Sequence, residues 1–167
     1  MVEKVKMANR EIDSILKDIE QYFKFLLDSG YKIQNVKDFG RKGEWHVFLV
    51  SPSRIIKIGS DQGSVSLFFA PLNSDSIREN SFSIESVIYF LSKGENFVDT
   101  YKGIWFRSRK NQLKKLSYLL TEYFEEITPL FGENFQLYKS DLISARKKYF
   151  ELFMDKYVRK RKKNDWE

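Results

Sequence analysis

Apolar residues at Ile12, Ile15, Leu16, Ile19, Phe23, Leu26 and Leu27 recur at spacings of three and four. That period predicts an amphipathic helix of about five turns, ended by Ser29-Gly30, where glycine supplies a left-handed conformation at little cost. From Tyr31 to Pro71 the period drops to two and turn residues break the chain often. Strands are expected at about 32–38, 44–50, 54–58 and 64–70, with turns at 40–43, 51–53 and 59–63. Connections this short join strands antiparallel, so the segment reads as a four-stranded meander. In the second strand Trp45, Val47 and Leu49 share one face and His46, Phe48 and Val50 the other. In the fourth, Val65, Leu67 and Phe69 oppose Ser64, Ser66 and Phe68. If Phe69 points inward, Phe68 points out, and Phe48 can join it there.

Residues 72–80 form a polar loop, after which Ser81 or Ser83 caps a short helix carrying Ile84, Val87, Ile88 and Leu91 inward and ending at Gly94. Phe97, Tyr101, Trp105 and Phe106 suggest a packed loop. A long helix is expected at about 108–128, with Leu113, Leu116, Leu120, Tyr123, Phe124 and Ile127 as its stripe and Pro129 as its stop. A last helix begins near Ser140, carries Leu142, Ile143, Tyr149, Phe150, Phe153 and Tyr157 inward, and runs into Arg159-Lys160-Arg161-Lys162-Lys163. The expected fold is α+β: an N-terminal helix, the meander, a short helix and two long C-terminal helices. Residues 1–131 form the α+β unit and 132–167 a helical extension with a basic tail, packed on the same domain.

A chain of 167 residues with 16% aromatic content has enough apolar material for one core. It has no cysteine and one histidine, so thiol chemistry and the usual zinc ligand sets are excluded. Residues 1–6 alternate charge and apolarity without the apolar core of a signal peptide, and no apolar run approaches about 18 residues. The expected location is the cytoplasm, without membrane association.

Catalytic patterns are missing as well. Gly40-Arg41-Lys42-Gly43 lacks the spacing and the following helix of a phosphate loop. Ile55-Ile56-Lys57 lacks the carboxylate a restriction-type nuclease carries two positions before its lysine, and Gly59-Ser60 is followed by no Asp-x-Asp. His46 could serve as a base near neutral pH, but no nucleophile or carboxylate is placed beside it by the sequence, and a structural histidine is the expectation. Glu122 and Glu126 lie one above the other on a helix, which reads as a solvated face. No catalytic residue, metal ligand or cofactor is expected, and the chain reads as a non-enzyme.

Charge supplies the first functional hint. Residues 107–167 hold 15 Lys and Arg against 9 Asp and Glu, an excess equal to the whole net charge of +6. Arg107, Arg109, Lys110, Lys114 and Lys115 open one helix, at the end where cations oppose its dipole. If the two long helices run antiparallel, this cluster meets Arg159, Lys160, Arg161, Lys162 and Lys163 in one patch that could contact nucleic-acid phosphates.

The stretches 23–31 (Phe23 to Tyr31), 43–49 (Gly43 to Leu49), 56–63 (Ile56 to Gly63) and 83–91 (Ser83 to Leu91) carry a pattern that resembles small bacterial proteins encoded beside toxin or phage-defence genes, some of them similar to immunity or accessory subunits. The likeness spans about residues 12–128 and implies a protein partner such as a toxin, an effector or a larger complex. The leading expectation is therefore a non-catalytic protein-binding module with Phe48 and Phe68 as contact residues, and the alternative is a nucleic-acid binder using the basic patch.

Overall fold

The computed structural model describes residues 2–39, 41, 43–72, 79–100 and 108–159, with side chains placed from residue 11 to 157. Helix α1 runs Val2–Tyr22 and a short α2 spans Lys24–Asp28. The single predicted helix is thus broken at Phe23, whose ψ of 25° leaves the helical path while its ring stays fully buried. The break is stabilised from outside: Ser117 Oγ donates to the Tyr22 carbonyl at 2.5 Å. Gly30, at φ +91°, turns the chain out of α2 as expected.

Five strands follow in the order of the chain: β1 Lys32–Asp38, β2 Trp45–Val50, β3 Arg54–Asp61, β4 Ser64–Pro71 and β5 Phe82–Ser83, all antiparallel neighbours. Two features depart from the meander read in the sequence. The β3–β4 turn is only Gln62-Gly63, both at positive φ, so β3 continues through Gly59 and Ser60. A fifth, two-residue strand pairs Phe82 and Ser83 with Phe69 and Phe68. β1 is an edge strand with a register shift between Ile33 and Asn35.

The inner face of the sheet carries Trp45, Val47, Leu49, Ile56, Ile58, Val65, Leu67 and Phe69, all buried. Helices cover it: α1, α3 (Ile84–Leu91), α4 (Arg109–Ile127) and α5 (Phe135–Met154). Ser83 and Ser108 cap α3 and α4, each accepting a backbone N–H three residues on. Gln112 of α4 clamps the β3–β4 turn, donating to the Gly63 carbonyl at 2.9 Å and accepting from Val65 N at 2.8 Å. A 3-10 turn, Thr128–Phe131, inserts the fully buried Phe131 between Phe69, Phe82 and Phe135.

Helix α5 starts five residues earlier than predicted, and its buried stripe is Phe135, Leu142, Ala145 and Tyr149. Ile143 and Phe150, expected inward, are 39% and 58% exposed. Each follows a buried residue by one position, and about 100° of helical rotation carries it off the buried line. The helix then loosens into a π turn over Asp155–Arg159. Phe135 and Leu142 belong to the same core as the sheet, so α5 packs on the α+β unit. Among the described residues no helix is long and apolar enough to cross a membrane.

Candidate protein-binding face

Strand alternation divides the sheet's side chains, and the register aligns those on the outer face into rows. Asn35 pairs with Phe48, Phe48 with Lys57, Lys57 with Phe68, and Phe68 with Ser83, so one row crosses all five strands. The adjacent row is Lys37, His46, Gly59 and Ser66. Phe48 and Phe68, named from the sequence as contact residues, therefore share one row and one face, with a lysine between them. Both rings keep part of their surface exposed.

Cations and rings alternate along this surface. Lys57 Nζ lies 4.4 Å from the centre of the Phe68 ring, and Lys37 Nζ lies 5.6 Å from that of Phe48, both within cation–π range. His46 takes the edge of Phe39 at 4.8 Å and faces Phe48 at 6.2 Å. Its imidazole lies across the bare backbone of Gly59, where an added Cβ would sit 2.4 Å from His46 Cδ2. Glycine is needed here for space, not for an unusual dihedral, which is why it occurs mid-strand.

The electrostatics follow from this packing. Burial lowers the His46 pKa, and the Lys57 and Lys37 charges lower it further against a smaller opposing pull from Asp61. Burial also lowers the Lys57 pKa. Rings and two lysines surround the imidazole, with Asp61 as the opposing charge. Lys32 and Lys37 stand exposed on β1, and Asp61 stands at the end of β3.

The basic cluster is placed differently. Arg109 grips Asp18 of α1, with Nε and Nη2 at 2.9 and 2.7 Å from Oδ2, and Nη2 also donates to Ser14 Oγ at 2.8 Å. Lys110 Nζ is 3.8 Å from the other oxygen of Asp18. The cation that opposes the α4 dipole is thus neutralised by an acid from α1, and the pair docks the two helices. Lys115 donates to the Asp99 carbonyl, while Lys114 is exposed. Arg107 and Lys160, Arg161, Lys162 and Lys163 lie outside the described residues, as does the side chain of Arg159. Glu122, Glu125 and Glu126 are exposed on α4.

Comparison with known proteins finds no matching family model, curated protein or solved structure.

Two acids that the sequence did not single out turn out to be central. Asp99 accepts from Lys156 Nζ at 2.6 Å and from the Tyr157 hydroxyl, tying the C-terminal turn to the loop after α3. Burial, and then the bond to Asp99, push the Tyr157 phenol up to about 12. Glu85, in the first turn of α3, is 2% exposed and accepts the Thr100 hydroxyl. Neither was legible, because both partners of each contact are far apart in the chain and no spacing rule links them.

Burial raises the Glu85 pKa, with the Thr100 bond the largest opposing effect. The folded state then binds this proton more tightly than the unfolded chain. Its stabilising contribution is complete below the unfolded carboxylate pKa and is lost as pH rises through the folded value. Glu85→Gln should therefore match the wild type in acid unfolding titrations and become the more stable of the two as pH rises. Parallel stability curves from acid to neutral pH would show that the carboxyl bears no such penalty.

Proposed function

We propose that the chain is a non-catalytic protein-binding module that recognises its partner through the outer face of the sheet. The observation that carries this reading is the Phe48–Lys57–Phe68 row: two partly exposed rings flank a lysine on a face that also presents Lys32 and Lys37. Exposed aromatics on a preformed sheet are the residue type that dominates protein interfaces. Lysines on the same surface call for a partner presenting carboxylates beside apolar side chains. The resemblance seen in the sequence supplies the setting, in which the chain serves as an immunity-type or defence-accessory subunit and the partner is a toxin, an effector or a subunit of a larger complex. The nucleic-acid alternative draws less support, since Arg109 and Lys110 are already paired with Asp18 and Lys115 with a backbone carbonyl.

The test uses a partner captured from host extract, then purified and titrated against the chain. Phe48→Ala with Phe68→Ala should weaken binding by roughly a hundredfold, as for two hot-spot rings. Lys37→Glu with Lys57→Glu should weaken it and invert its salt dependence. A partner whose affinity ignores both pairs binds elsewhere, and the assignment of this face then fails. Equal binding of RNA or DNA, lost with the same lysines, would instead make the face a nucleic-acid platform and overturn the protein reading.

A further inference from the structure

Where the outer face meets α5, a cavity of ≈ 220 Å³ opens between β4, β5, α3 and α5. Four rings wall it: Phe68 from the sheet, and Tyr149, Phe150 and Phe153 from α5. Phe150 is the ring that α5 leaves 58% exposed, at odds with its apolar character. The cavity falls below the roughly 300–1,000 Å³ of sites that take drug-sized molecules. It suits a one-ring molecule and not a nucleotide.

Arg146 sets the polar end. Its Nη1 donates to the carbonyls of Glu79 and Ser81, both at 3.0 Å, and its guanidinium stacks on Phe82 at 4.8 Å. The group is therefore held in place by backbone and ring before any ligand arrives. Its Nε and Nη2 find no acceptor among the described residues. Those two nitrogens form the edge of a guanidinium that matches the two oxygens of a carboxylate. Preorganised donors on one side and apolar walls on the other are what a small-molecule site requires.

We propose that this cavity binds a small aromatic carboxylate, its ring among Phe68, Phe150 and Phe153 and its carboxylate on the free edge of Arg146. Glu85 also lines the cavity, and its carboxyl accepts the Thr100 hydroxyl. The site is separate from the partner reading, although Phe68 forms the wall between the two.

The test titrates the full chain with phenylacetate and with phenethylamine, its cationic counterpart, followed by ligand-observed and protein-observed NMR. Phenylacetate should bind and phenethylamine should bind roughly tenfold more weakly or not at all. Arg146→Met, which keeps a stem over Phe82, should reduce phenylacetate affinity by roughly tenfold, and Arg146→Lys should restore part of it. Phe150→Ala, at a position 58% exposed, should also weaken binding. Preference for the amine, binding indifferent to both positions, or no binding of phenylacetate to the wild type each overturns the proposal. Arg146 lies outside the Phe48–Lys57–Phe68 row, so ligand loss with partner binding intact separates this site from the face.

Discussion

Phe131→Ala should lower the free energy of unfolding by about 3–5 kcal/mol, the cost of emptying a ring-sized space in a packed core. Phe131 has no exposed surface and sits 5.4 Å from Phe69, 5.9 Å from Phe82 and 6.0 Å from Phe135. Those three rings belong to β4, β5 and α5, so one side chain joins the sheet to the last helix. Its position is fixed by a short 3-10 turn that includes Pro129, which limits how far the backbone can close the gap. Chemical denaturation gives the difference directly, and heating should show a midpoint roughly 6–20 °C lower. A change of less than about 1 kcal/mol would mean that the cluster collapses freely and that α5 is not anchored through it.

Gly59→Ala should cost about 1–3 kcal/mol, the usual penalty of forcing a methyl group into filled space. The new Cβ would meet His46 Cδ2 at 2.4 Å and the Trp45 carbonyl at 3.1 Å. The imidazole must swing away, and its contacts with Phe39 and Phe48 go with it. The same substitution in a His46→Ala background should cost much less, leaving only the milder approach to the Trp45 carbonyl. A double-mutant cycle by denaturant unfolding measures this coupling. Equal penalties in both backgrounds would show that the ring does not occupy the space above Gly59. In the otherwise native chain, Gly59→Ala should also weaken partner binding, because it disturbs the row next to Phe48, Lys57 and Phe68.

The same two positions show what the sequence could and could not reveal. Alternation in β2 and β4 was enough to put Phe48 and Phe68 outward, because a period of two sends neighbours to opposite faces. It could not show that they share a row, which depends on register. Register in turn depends on where the β3–β4 turn falls. Gly59 looked like the start of that turn, yet it lies inside β3, kept there by a ring from β2 that no local rule could supply. β5 was hidden for a related reason: two residues carry no period, and only pairing with Phe68 and Phe69 defines the strand. In α5, Ile143 and Phe150 were read as core because they are apolar, although Leu142 and Tyr149 occupy the buried line. The basic positions of α4 were legible as charge but not as partners of Asp18, which lies 91 residues earlier in the chain than Arg109.

The edge strand has a consequence for a chain so rich in aromatics. Among the described residues β1 has a strand neighbour on one side alone, and sheet edges of this kind are where sheets of separate molecules join into fibrils. The irregularity between Ile33 and Asn35 breaks the straight ladder a second strand would need. The exposed Lys32, Lys37 and Asp38 would add the cost of stripping water from charged groups on contact. The shifted register and these charges together disfavour the addition of a further strand along β1.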